Sequence, residues 1–331
     1  MQHKTRHTST RFAAGKGKTM RNISAGHRRT GTLRRKEAIA GLLLISPWVI
    51  GFVWFLLIPL LFSIYASFTR WTLINPPPVW IGLDNYRNML RDSDTWWAMG
   101  VTLRYMAMTL IPFLVLALLL ALLLNQKVRG MNIFRTIFYV PSIITGVAVA
   151  ILWATLLNPE IGAINQVLRS LGVANPPRWL ASSDWALPAV ALMSLWGIGG
   201  STIIYLSGLQ NIPGELYDAA TVDGANPLQK FFSITLPMLS STLFFLFITG
   251  IIGAFQIFTP AYILSGASSM GSNKAINFYV LHIYMEGFRK GKLGYASALA
   301  WLLVIIAAVI VILIYRRSEQ YVYYETTGDN G

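Results

Sequence analysis

Three carboxylates, Glu215, Asp218 and Asp223, fall within nine residues of a chain that carries only 13 acids against 27 lysines and arginines. Small residues surround them: Ala219, Ala220, Gly224 and Ala225. This combination suits recognition. The acids offer a sign that an Arg or Lys on another surface can read, and the small side chains let that surface come close to the backbone. Catalysis has less to work with. Neither HExxH nor GxSxG occurs, and the apolar runs hold no Ser/His/Asp set and no clustered carboxylates. The four histidines are His3, His7 and His27 near the start and His282, which reads as an ordinary surface residue. Cysteine is absent, so disulfides and thiolate metal sites are excluded, and no metal site is expected. Gly17-Lys18-Thr19 echoes a phosphate-binding loop, but Phe12 stands where the first glycine belongs and no strand precedes it.

The acids need a platform, and their flanks supply one. Pro213 suits a first helical turn, and Gly224 can end that helix. Asn226-Pro227 reads as a cap followed by a restart, and Leu236-Pro237 opens the next apolar run. The expectation is two short helices at a sharp angle on a membrane surface. Two meanings stay open: a knob offered to another protein, or an interfacial helical hairpin without a partner.

The rest of the chain is mostly membrane material. Hydrophobic residues make up 54% of the 331 positions and charged residues only 12%. Six long apolar runs stand out, near Ile39–Phe68, Val101–Leu124, Ile133–Leu157, Trp185–Gln210, Leu239–Leu264 and Tyr295–Tyr315. Each is long enough to cross a hydrocarbon core of about 30 Å as a helix, and backbone groups in lipid must be paired within their own segment. The predicted fold class is therefore an all-α integral membrane protein with six transmembrane helices. Residues 1–37 form a basic tail with 11 of the 27 cations, expected to be disordered, cytoplasmic and lipid-facing, with no nucleic acid as partner. With the N-terminus inside, six spans return the C-terminus (317–331) to the cytoplasm. Interior segments then carry 17 cations and outer ones 10, although Arg289, Lys290 and Lys292 fall outside. The loop at 211–237, between the fourth and fifth helices, faces the cytoplasm.

The predicted spans contain no Asp, Glu, Lys or His, with Arg104 and Arg135 only at their ends. Ion-driven carriers usually place ionisable groups in the bilayer. Any energy source is thus expected on another polypeptide. A self-sufficient channel or ion-coupled secondary transporter, and a non-transporting membrane scaffold, remain as alternatives.

The spacing Asp218-Ala219-Ala220, three residues, Gly224, nine residues, Ile234-x-Leu236-Pro237 resembles the EAA motif of ATP-binding-cassette importer permeases. PGELYDAATVDGA followed by FFSITLP is similar to the carbohydrate branch, which includes maltose, glycerol-3-phosphate and oligosaccharide importers. IGLDNYRNML (81–90), FRTIFYVPSIITGVAVAILW (134–153) and GLQNIPGELYDAA (208–220) agree, and the resemblance covers about residues 38–316. The family's usual Glu is Asp218 here, and LSGASSMG (264–271) lacks the proline of the family's outer turn.

The resemblance implies a permease domain at 38–316 in a bacterial or archaeal plasma membrane. It implies a second permease subunit, usually a different chain, an ATPase dimer that holds ATP and Mg, and an extracytoplasmic solute-binding protein. No cofactor is expected on this chain. Carried over by position, Glu215, Asp218, Ala219, Ala220, Asp223 and Gly224 would dock the ATPase, with Gly224 turning the chain between two coupling helices. The mechanism would be alternating access. Throwing such a switch from 1:99 to 99:1 needs roughly 5.5 kcal/mol of differential ATP affinity. For a sugar path, Ser194, Trp196, Ser201, Tyr205 and Gln256 are the polar and aromatic candidates within spans. Each has the alternative reading of a helix–helix contact. Pro47, Pro59, Pro112, Pro141 and Pro188 suggest kinks.

Overall fold

The computed structural model describes residues 27–74, 77–265 and 274–318. It divides at Leu61/Phe62 into two compact units. The Gly17-Lys18-Thr19 string and residues 319–331 lie outside the described residues.

Helix begins at His27, inside the segment expected to be an irregular tail. The reason is local: Leu33-Arg34-Arg35-Lys36-Glu37-Ala38 is a run of good helix formers. Span 1 (Arg35–Ser67) is strongly apolar, yet only 6% of its most apolar stretch is buried.

Four more spans are long and apolar enough to cross a membrane: span 2 (Ser93–Leu124), span 4 (Ser183–Gln210), span 5 (Ser240–Leu264, interrupted at Gln256–Phe258) and span 6 (Leu293–Ser318). The third apolar run departs from expectation. It is two limbs, Met131–Ile143 and Gly146–Leu156, bent by 96°. Pro141 has no N–H to donate, and two extended residues follow, Ile144 (ψ 137°) and Thr145 (ψ 139°). The prolines within spans 1, 2 and 4 leave those helices continuous.

Within the larger unit, span 4 packs against span 2 and against the first limb of span 3, and span 5 packs on spans 2 and 6. Leu114, Ala117, Tyr205, Leu206 and Leu239 form the core near the 211–237 loop. Val101, Tyr105, Val190, Phe278 and Leu281 form another toward the opposite end. There a short antiparallel ribbon pairs Thr69–Arg70 with Val79–Trp80, and Asn85 donates to the carbonyls of Ser67 and Thr69. Asn85 belongs to the helix Asp84–Arg91, which lies against span 6.

Span 2 starts eight residues before the predicted Val101, because the Asp92 side chain caps it by accepting from the Asp94 N–H at 3.0 Å. This corrects two expectations. Arg104 lies eleven residues inside a helix and not at its end, set over the Trp97 ring at 5.3 Å. Asp94 joins the same helix and pairs with Lys274 at 2.6 Å.

His282 is not a surface residue either; it is fully buried. Asp92 accepts from Tyr295 (2.8 Å) and Thr95 (3.0 Å). With the Thr95 proton so committed, its oxygen at 3.1 Å accepts from His282 Nε2–H, and Nδ1 is left buried without a partner among the described residues. Glu286, also buried, pairs with both Lys290 and Lys292. Two of the three cations that ran against the charge bias therefore share one carboxylate.

Close approach sets one further requirement. A Cβ on Gly199 would collide with the Phe138 carbonyl, where span 4 crosses the first limb of span 3, while Gly197 has open space. Gly199→Ala is expected to cost about 1–3 kcal/mol in thermal unfolding of the detergent-solubilised chain, with Gly197→Ala close to neutral.

Burial lowers the His282 pKa below its ordinary 6.5, outweighing the opposing charges of Glu286, Asp92 and Asp94, with Lys290 adding to the lowering. The unfolded chain therefore takes up the proton first, and stability is lost as pH falls below 6.5 toward the folded value. Asp92 would be raised by burial, but hydrogen bonds from Tyr295, Thr95 and Asp94 and the nearby His282 bring it below 3.8, so its loss comes only in stronger acid. In melting curves from about pH 7.5 to about pH 5, His282→Gln should flatten the decline seen in the parent.

Candidate functional site

The 211–237 loop is built almost wholly from its own backbone. Its first helix is Gly214–Val222, with Glu215 in the first turn, where a negative charge suits the helix dipole. Pro213 sits one residue ahead of that helix (φ −58°, ψ 129°), not within its first turn as expected. At the other end Gly224 adopts φ +78°. The Ala225 N–H reaches the Ala220 carbonyl at 2.9 Å, and the Gly224 N–H reaches Thr221 at 3.1 Å. This is the paired bonding of a Schellman turn.

The second helix starts at once. Asn226 accepts from the Gln229 N–H at 2.9 Å while Gln229 accepts from the Asn226 N–H at 2.7 Å, with Pro227 in the first turn. Lys230 then donates to Thr221 at 2.7 Å and ties the second helix to the first. A wide turn at Phe231–Thr235 leads through Leu236–Met238 into span 5.

One side of this knob is anchored. Tyr217, Phe231, Ile234 and Leu236 pack onto the core of Leu114, Leu206, Leu209 and Leu239. The Tyr217 hydroxyl meets buried Thr235 at 2.9 Å, bridging the two halves. The other side is open. Glu215, Asp218, Ala219, Asp223 and Gly224 are exposed, and Ala220 is half-buried. No ion pair engages the three acids among the described residues, and Lys230, the loop's one cation, is spent on Thr221. Beside them stand bare apolar side chains: Val222 is 90% exposed, Leu228 69% and Phe232 61%. A rigid turn with unpaired acids and exposed apolar groups is suited to being held by another protein.

The sequence located the acids, the turn and the caps. It missed Tyr217–Thr235 and Lys230–Thr221, which span 18 and nine positions and leave no local signal. It also missed Val222 and Leu228, although apolar residues stranded in a polar loop were visible.

Among the described residues, Trp196 and Ser194 line different cavities. Trp196 lines a cavity of about 180 Å³ with Ser142, Ile144, Gly146 and Pro260 at the bend of span 3. Ser194 lines a second of about 290 Å³, with Tyr105, Thr109 and again Pro260. Trp196 stands edge-on to Trp153 at 6.2 Å, and both indole N–H groups are buried without partners among the described residues. Tyr205 is wholly buried in the core by the loop, its hydroxyl unpaired among the described residues, and Ser201 is half-buried on the same helix. Gln256 is exposed, and it caps the stretch Ser240–Phe255 at a break in span 5, not the middle of an unbroken helix.

Residues 113–322 match the family described as "Binding-protein-dependent transport system inner membrane component". The chain belongs to this family. It is therefore a membrane-embedded permease component of a transport system and not a catalyst. It is 40% identical over 294 residues to the "Probable ABC transporter permease protein YesP" of Bacillus subtilis (strain 168), covering 88% of this chain and 94% of that one. It is 30% identical to the "Trehalose/maltose transport system permease protein MalF" of Thermococcus litoralis, over 83% of this chain and 92% of that one. A solved bacterial ABC transporter "involved in the import of the acidic polysaccharide alginate" has a chain that superposes with a TM-score of 0.75 at 26% identity, over 88% of this chain and 99% of that one.

The turn geometry can be tested by itself. Gly224→Ala should cost about 1–2 kcal/mol, because the left-handed region disfavours any Cβ, and should speed amide exchange across 220–230. Gly214→Ala, with open space and no positive φ, should leave exchange unchanged or slower.

Proposed function

We propose that this permease is the transmembrane subunit of an ATP-driven, binding-protein-dependent importer of a sugar, polyol or oligosaccharide, and that it works by alternating access. The observation that carries the reading is the 211–237 loop, a self-braced turn whose acids have no ion-pair partner among the described residues. Glu215, Asp218, Ala219, Ala220, Asp223 and Gly224 form its ATPase-docking face, with Asp218 reading a basic group in the ATPase groove. ATP and Mg are held by that ATPase dimer. Tyr217, Thr235 and the core at Leu239 carry a movement of the knob into spans 4 and 5.

The sugar class is supported by the relatives. Besides the trehalose/maltose permease, an "Arabinooligosaccharides transport system permease protein" of Bacillus subtilis (strain 168) is 34% identical over 80% of this chain and 83% of that one. A second solved alginate transporter, with TM-score 0.76 and 25% identity, over 88% of this chain and 96% of that one, is in complex with a pentasaccharide-bound periplasmic protein. An extracytoplasmic binding protein fits this chain in the same way. A second permease subunit is supported by the first limb of span 3, which has no buried residue. The knob and both termini face the cytoplasm, the side that collects 17 of the 27 cations. Trp196, Ser201, Tyr205 and Gln256 remain the candidates for the sugar path.

Asp218→Lys tests the docking face. In the reconstituted complex, sugar-stimulated ATPase activity should fall roughly tenfold or more as an opposite charge becomes a like one, and pull-down of the ATPase should weaken while the spans stay folded. Unchanged ATPase binding and unchanged coupled uptake would overturn the assignment and reopen the channel and scaffold readings.

A further inference from the structure

Spans 2, 5 and 6 enclose a groove of about 830 Å³ on the side of the bundle where the 211–237 loop emerges. Its walls include Leu114, Leu118, Pro237, Phe244 and Ile314, and the polar residues along it are Ser240, Arg317 and Ser318. Arg317 stands in the last turn of span 6, exposed, with no acidic partner among the described residues. Arg316 shares that turn but does not line the groove. The slot is therefore hydrocarbon along its length and cationic at the end where the helix leaves the membrane.

That pattern complements an amphiphile with one anionic head and a long tail. A guanidinium grips a phosphate through paired N–H donors, and cations between helix ends collect anionic lipid headgroups. The groove's volume lies within the about 300–1,000 Å³ that suits a small ligand, and the cation at one end matches a single anionic head. We propose that the groove holds an acyl chain of an anionic phospholipid from the leaflet beside the loop, with the lipid phosphate on Arg317. Leu236 and Pro237 form part of its wall and also carry the chain from the knob into span 5. The lipid thus braces the segment through which the knob meets the bundle. The inference stands on the groove alone and does not require the importer reading.

Native mass spectrometry of the full-length chain tests it, with phosphatidylglycerol and phosphatidylcholine of identical acyl chains offered in equal amounts. The parent should retain about fivefold more phosphatidylglycerol, the scale of one cation at a membrane surface. Arg317→Gln should remove that preference and Arg316→Gln should keep it. Leu243→Trp, which fills the groove, should lower retention of both lipids. Equal retention of the two lipids by the parent, or equal loss in the two arginine variants, would overturn the proposal. The chain has no cysteine, so Phe244→Cys gives a single attachment point in the assembled complex. Cross-linking from it to an acyl-chain probe supports the lipid; capture of a second permease chain replaces the lipid with a helix and sinks the idea. Asp218→Lys should leave the lipid preference intact, which separates failure of this inference from failure of the docking assignment.

Discussion

A backbone polar group in hydrocarbon must find its partner inside the protein, and the architecture follows from that constraint. Helices meet it without help. The two places where this chain abandons helix inside its apolar runs, Ile144–Thr145 and Gln256–Phe258, are the places that need neighbours. They find each other. A Cβ on Gly146, just past the first break, would lie 3.8 Å from the Thr259 methyl, just past the second. The second limb of span 3 packs on the Thr259–Leu264 stretch, and Pro260 borders both small cavities there. The two irregular stretches thus lie side by side, next to the two small cavities that Pro260 borders.

The two ends of the larger unit solve the same problem with side chains. Toward the loop, caps and turn bonds close every change of direction between Gly214 and Lys230. Toward the opposite end, Asp92 caps span 2 and gathers Thr95, Tyr295 and His282 from three elements. Both devices use short polar side chains at helix starts, where N–H groups are unpaired. The first keeps its charges outside. The second holds a half-buried Asp92 beside a fully buried His282, whose pKa burial keeps below its ordinary value.

What was legible in the sequence was local. Gly224, Asn226 and Pro227 announced their turn because a Schellman end and a capping box are satisfied within a few residues. The apolar runs announced spans because length alone is the criterion. The bend of span 3 was half visible: Pro141 marked it, but Pro47, Pro112 and Pro188 carried the same mark without a break. A proline alone therefore did not say which helix breaks. His282 was misread because its partners lie 187 and 190 positions away, at Thr95 and Asp92, and no composition rule joins them. Asp218 and Asp223 could be assigned as exposed, but the Lys230–Thr221 bond, which commits the loop's one cation elsewhere, could not.

The shape of the 211–237 turn is held by its own main chain, by Asn226 with Gln229, and by Lys230 with Thr221. Glu215, Asp218, Val222 and Leu228, which face outward, contribute almost nothing to that shape. Form and surface are thereby separated. Substitutions at the outward positions can alter the surface the loop presents without altering how it is folded, so that surface can change by single steps, each passing through a folded protein.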